Sequence, residues 1–217
     1  MVAHEYAHAE AAYRQGDNTA YMLGRLTLNP LKHIDPLMTV ILPVVLWVGS
    51  HGAFTFGGAK PVPVNPRNYR EFRRGDIIVS LAGIAVNLAL FVVCAALFAL
   101  VGLLGVGGSI FGGTFAVVQR MLAWGMLLNL VLAFFNVIPI PPLDGSHVFY
   151  QLLPPGAGLR YRQLYVLGML PIMIIVIFLP GVVNVFLWPA YRLLGVAVHL
   201  VEGFAVSRAA FPPSWGL

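Results

Sequence analysis

Charge is what this sequence has least of. Only 10% of its 217 residues are Asp, Glu, Lys or Arg, against about a quarter in soluble globular domains, so an ordinary water-facing surface is excluded. A single cysteine, Cys94, rules out an intrachain disulfide and sits inside an apolar run, where it reads as a small core residue. Acidic residues number 8 against 13 basic ones. The basic residues fall between hydrophobic runs rather than along an exposed helix with interleaved aromatics, so no nucleic acid is expected as a partner. The sequence shows no basic segment leading into a short apolar one at its start, hence no signal peptide is expected. Tandem repeats and heptads are missing as well.

What the chain does have is hydrophobic residues, 59% of the total, gathered into runs. Residues 77–104 and 121–138 are each near the roughly 20 residues that a membrane-spanning helix needs. Residues 4–22 read as a helix whose polar half, Glu10 to Asn18, leaves the bilayer. The apolar stretch LMTVILPVVLWV is too short to cross and is broken by Pro43, which suits a re-entrant segment over residues 37–56. In GGAKPVPVNP, prolines at alternate positions exclude helix and predict an extended edge strand or hairpin at residues 57–66. A last hydrophobic region, 164–201, breaks at Pro180-Gly181. Arg14, Arg25, Lys32, Lys60, Arg67, Arg70, Arg73, Arg74, Arg160 and Arg162 lie in three connections that the positive-inside rule places in the cytoplasm, whereas residues 105–114 carry no charge. The expected fold is an all-α polytopic membrane protein. It forms a single domain over residues 1–217: a transmembrane helix bundle with a re-entrant segment and a small membrane-associated β-strand or hairpin.

One short stretch is at odds with this oil. HEYAH, residues 4–8, fits the H-E-x-x-H pattern. On a helix, His4 and His8 share a face and can bind one Zn²⁺, while Glu5 lies close enough to act as general base on the metal's water. Ionisable groups in or beside a membrane helix are expensive and argue for function. A hydrolytic zinc takes a third protein ligand, for which Asp144 in PPLDG is the candidate; the competing reading makes Asp144 the N-cap of a helix over 145–153. The acidic residues Asp17, Asp35, Glu71 and Asp76 lie in connections rich in Arg or Lys and compete poorly. Asn87, deep in the run 77–104, reads either as a hydrogen bond between helices or as a donor to an oxyanion. His33, His51, His147 and His199 have no partner at ligand spacing and read as structural or interfacial.

HEYAH, GGAKPVPVNP, LAGIAVN and FNVIPIPPLDG, in this order and separated by hydrophobic runs, closely resemble the site-2 protease family of intramembrane zinc metallopeptidases. The resemblance covers residues 3–150. It implies that His4, His8 and Asp144 hold one zinc ion, that Glu5 is the base, and that Asn87 lies near the active site. The Gly-Pro of the family's motif is Gly83-Ile84 in this chain. GGAKPVPVNP resembles the family's membrane-associated strand, implying that Gly58, Ala59, Lys60, Pro61, Val62, Pro63 and Val64 bind an extended substrate. The implied activity is hydrolysis of peptide bonds in or near transmembrane segments of membrane-protein substrates. The implied location is the cell membrane, multi-pass, with the active site toward the cytoplasm and lipid as the surrounding medium. A transporter, or a scaffold with a structural metal, is the rival class; a transporter predicts two similar halves, which the sequence lacks. A zinc helix beginning at Val2 would leave its first N–H groups uncapped near the membrane surface, so either further apolar residues are expected to precede Met1 or a neighbouring subunit or the region 182–201 is expected to seal a short first helix.

Overall fold

The computed structural model describes residues 1–52, 55, 57–105, 112–212 and 215. Nine α-helices are found among them: α1 (Val2–Gln15), α2 (Thr19–Met22), α3 (Leu42–Gly49), α4 (Phe72–Gly105), α5 (Gly112–Asn136), α6 (Asp144–Leu152), α7 (Pro155–Arg162), α8 (Leu170–Phe178) and α9 (Pro180–Val201). The helices Phe72–Gly105, Gly112–Asn136 and Pro180–Phe204 are long and apolar enough to cross a membrane. At 1.5 Å per residue, the 34 residues of α4 extend about 50 Å, well beyond a hydrocarbon core of about 30 Å. The uncharged connection expected at 105–114 falls largely on residues 106–111, outside the described residues.

The chain forms two compact units, Met1–Val86 and Asn87–Leu217. In the first, α1 stops earlier than the expected helix over 4–22. Gly16 takes φ 108°, its N–H bonds the Tyr13 carbonyl, and the Asp17 N–H reaches back to Ala12. This left-handed closure satisfies the last carbonyls of the helix, and glycine adopts it without steric cost. Ala9 packs with Ala20 and Val62, and Ala12 with Tyr69 and Val79. Alanines on this face let the following segments lie close against α1.

The apolar stretch expected to be re-entrant forms a π-helical turn, Pro36–Ile41, running into α3. Asp35 caps it, its carboxylate accepting from the N–H groups of Leu37 and Met38 at 2.9 Å. The whole piece, Pro36–Gly49, is about 20 Å long at helical rise, too short to span.

The expected strand or hairpin at 57–66 is not formed: no described residue lies in a β-strand. The physical reason is the supply of donors. Pro61 and Pro63 have no N–H, and the N–H groups beside them are used elsewhere. Gly58 donates to the Met38 carbonyl, Lys60 to the His33 carbonyl, Val62 to the Glu5 carboxylate and Asn65 to the Asp17 carboxylate. A ladder needs a second strand to take those bonds; here turns and carboxylates take them.

In the second unit, α5 and α9 pack through Ala123, Met126 and Leu130 against Ala190, Leu194, Ala197 and Val198, with Phe98 of α4 and Phe211 stacked at 5.0 Å between ring centres. Small residues allow close backbone approach where lipid offers no hydrophobic drive. A Cβ on Gly125 would lie 2.8 Å from the Cys94 sulfur, so the lone cysteine is a packing residue. Gln119, fully buried, donates to the carbonyls of Phe98 and Phe204 and accepts from the Val206 N–H, tying the segment after α9 to the bundle. The hydrophobic region 164–201 has an extra break beyond the expected one at Pro180. Gly168, at φ 54°, separates Pro155–Leu167 from Leu170–Phe178, and the two pieces are bent by 82°.

Asp17 is a buried carboxylate with several hydrogen bonds. It accepts from the Thr19 N–H and hydroxyl, from the Asn65 N–H at 2.6 Å and from the Asn68 amide at 2.8 Å. Burial alone would raise its pKa, but these four hydrogen bonds outweigh burial and hold it below the usual carboxylate value. A lowered folded-state pKa adds stability that is complete above the unfolded-state value and is lost as pH falls through the folded one. Asp17→Asn should therefore lower stability by about 1–3 kcal/mol at neutral pH, because an amide NH₂ replaces an acceptor facing a buried donor. The gap in thermal unfolding between the two proteins in detergent should close below about pH 4. A gap independent of pH would contradict this.

Candidate metal centre

The sequence HEYAHAEAA is helical because alanine and glutamate favour the α conformation, and four-residue spacing brings the two histidines onto one side of α1. Both are buried. Their rings meet edge to face, 4.5 Å between centres and 84° between planes, and the two Nε2 atoms are 3.0 Å apart. Two nitrogens at about 2.0–2.1 Å from one tetrahedral zinc would be separated by about 3.3 Å. The donor pair fits that ion with little adjustment.

The other ring nitrogen of His8 is held by the main chain. Its Nδ1 lies 2.7 Å from the carbonyl oxygen of Val79 on α4. A carbonyl can only accept, so Nδ1 carries the proton and Nε2 is left with its lone pair. A second partner of this kind fixes ring orientation and tautomer in metal-binding histidines. The imidazoles also lie against bare helix: a Cβ built on Gly83 would come within 2.5 Å of His4 Cε1 and of His8 Nε2.

Glu5 follows His4 directly and is half-buried. Its Oε2 accepts from the Val62 N–H at 2.8 Å, so the segment Gly58–Val64 is in register with the HEYAH helix through one charge-assisted bond. Within that segment Val62 is buried, Gly58, Ala59, Pro63 and Val64 are half-buried, and Lys60 and Pro61 are exposed. The Arg25 guanidinium donates to the Lys60 carbonyl at 3.0 Å and holds the segment from its other end.

Asn87 is fully buried on α4. It lies one turn beyond Gly83 and two beyond Val79, so the three share a face of that helix. Asp144 is the first residue of α6, and the cap position belongs to Leu143, at φ −72° and ψ 154°, which makes no side-chain cap bond. The helix expected at 145–153 thus begins one residue early, and Asp144 sits in its first turn, where a negative charge is favoured by the helix dipole. Gly145 is required there, since a Cβ would collide with the Val137 carbonyl. Ser146 hydroxyl bonds to the Leu143 carbonyl and to Tyr165 Oη fix the same turn.

Of the remaining histidines, His33 is buried with Nε2 on the Thr27 carbonyl at 2.8 Å, His147 meets the Tyr165 ring, and His199 pairs with Glu202 at 2.9 Å. Sequence reasoning missed the Val79 carbonyl and the closeness of Gly83. A main-chain acceptor inside an apolar run has no signature of its own. The glycine was visible only as one letter of a motif.

No family model matches the chain, and no solved structure matches it. Among curated proteins, it is 37% identical over 186 residues to "Putative zinc metalloprotease YwhC" of Bacillus subtilis (strain 168), covering 86% of this chain and 79% of the relative. It is 34% identical over 155 residues, 71% of this chain, to the proteins named "Putative zinc metalloprotease Rip2" of Mycolicibacterium smegmatis and Mycobacterium tuberculosis. It spans about half the length of those mycobacterial proteins. With the H-E-x-x-H helix, the paired imidazoles and a relative matched over most of both lengths, the chain belongs to the site-2 protease family of zinc metalloproteases.

Proposed function

We propose that this protein is an intramembrane zinc endopeptidase that cuts peptide bonds in or near the transmembrane segments of other membrane proteins. The observation that carries the reading is the histidine pair. Two Nε2 atoms of buried histidines lie 3.0 Å apart, one in a tautomer set by Val79, beside a glutamate, in a chain whose described residues include three helices long and apolar enough to cross a membrane. His4 and His8 would hold one Zn²⁺ with Asp144 as the third ligand, on the strength of the PPLDG motif. When bound, zinc supplies a Lewis acid and brings the pKa of its water to about 7.

The chain's own groups do the rest. Val62 takes Oε2 of Glu5, which orients the carboxylate and leaves Oε1 to accept the proton of the attacking water. The same carboxyl then delivers it to the leaving amine. The Asn87 amide, a donor of fixed position on α4, would stabilise negative charge developing on the scissile carbonyl oxygen. A transmembrane substrate satisfies its amides internally, so a turn must unwind before its carbonyls are reachable. Gly58, Ala59, Lys60, Pro61, Val62, Pro63 and Val64 would lie along that unwound stretch. The basic connections support a multi-pass location in the cell membrane with this chemistry toward the cytoplasm, by the positive-inside rule.

Glu5→Gln should lower cleavage of a transmembrane peptide in detergent by about 10²–10⁴-fold while zinc content stays near one per chain, because the base is lost and the ligands remain. His4→Ala, His8→Ala and Asp144→Ala should each lose zinc as well as activity. Full activity of the Glu5→Gln protein would refute the assigned chemistry.

The orientation has its own test. In a Cys94→Ala background, Arg70→Cys and Arg160→Cys should resist an impermeant thiol reagent added outside the cell, whereas Ser109→Cys, beyond the described residues, should react. Equal labelling of positions 70 and 109 would overturn the cytoplasmic assignment.

A further inference from the structure

A glycine in the middle of a spanning helix needs a reason, since in a helix interior it is about 1 kcal/mol worse than alanine. Gly83 has one that the surrounding atoms define. Its missing Cβ would lie 2.5 Å from His4 Cε1, 2.5 Å from His8 Nε2 and 2.7 Å from His4 Nδ1. Those contacts are with both imidazoles together, and the rings are buried, so neither can simply swing away into solvent. Side chains on a helix lean toward its N-terminus. A methyl at 83 would therefore also lean over the preceding turn, which presents the Val79 carbonyl to His8 Nδ1 at 2.7 Å.

We propose that Gly83 is a positioning residue for the metal: its bare backbone is the seat against which His4 and His8 pack, and the opening through which the Val79 carbonyl fixes His8 with Nε2 toward the ion. This rests on the reading of His4 and His8 as zinc ligands. It assigns to α4 the role of holding those ligands, separate from any part Asn87 plays in the reaction.

The effect of a methyl group separates a metal role from a folding role. Without metal, Gly83→Ala should still fold, because alanine favours helix and unligated rings can turn within the site by the roughly 1 Å that separates a 2.5 Å approach from ordinary contact. With metal, the rings must converge, and the methyl blocks them. The control is Gly195→Ala in α9, where an added Cβ meets nothing within 4 Å.

The experiment uses the full chain in detergent, in the Glu5→Gln background to prevent self-cleavage. It measures zinc affinity by competition with a chelator, together with thermal unfolding of the metal-free protein. Gly83→Ala should bind zinc at least about 10-fold more weakly, the scale on which loss of a ligand's supporting partner acts, while the metal-free protein still unfolds in one cooperative transition. Gly195→Ala should match the parent in both. Parent-like zinc affinity in Gly83→Ala overturns the proposal alone. A metal-free Gly83→Ala protein that no longer folds makes the role structural and also overturns it. If the parent itself binds no zinc, the metal reading fails first and this proposal with it.

Discussion

Everything proposed for this protein depends on one hydrogen bond between a side chain and a helix backbone. The Val79 carbonyl of α4 accepts from His8 Nδ1, and in doing so it decides which nitrogen of the ring is free. A histidine in a low-dielectric site is an ambiguous ligand, able to present either nitrogen or to carry charge. Tying Nδ1 to a carbonyl that is already part of a rigid helix removes the ambiguity without introducing a second ionisable group. Helix α4 can do this only because Gly83 leaves its surface bare one turn later.

The segment after α3 shows a second economy of polar groups. In an apolar environment each unsatisfied N–H is costly, and the sequence reduces the number by placing prolines at 61 and 63. Of the donors that remain, those of Gly58 and Lys60 go to main-chain carbonyls and those of Val62 and Asn65 to Glu5 and Asp17. Two carboxylates thus hold one irregular segment, and one of them is also the proposed base. A shift of this segment would be felt at Glu5 through a single bond. This is why Asp17, which is no part of the histidine pair, matters to the account.

Much of this was legible in the sequence. The H-E-x-x-H spacing carried the histidine pair and the glutamate, since four residues on a helix return to one face whatever surrounds them. The long apolar runs carried two spans, with ends a few residues off because a helix continues past the oil until a cap stops it. Two readings failed for lack of partner information. The helix expected over 4–22 ends at Gly16 instead, because the closing bonds to Ala12 and Tyr13 depend on the positive φ of that glycine. Alternating prolines were read as an edge strand, which their extended φ favours, but a strand is defined by its neighbour, and the neighbours here are carboxylates and turns. Asp17 was set aside as an acid among basic residues, when its role is to accept four hydrogen bonds.

The central claim is that His4 and His8 bind one zinc ion through Nε2 with only nitrogen and oxygen donors. X-ray absorption at the zinc edge on purified Glu5→Gln protein tests it most directly. The account predicts donors at about 2.0–2.1 Å, outer-shell scattering from two imidazoles, and no sulfur at about 2.3 Å. A zinc spectrum left unchanged by His8→Ala, or one showing no imidazole scattering, would contradict it.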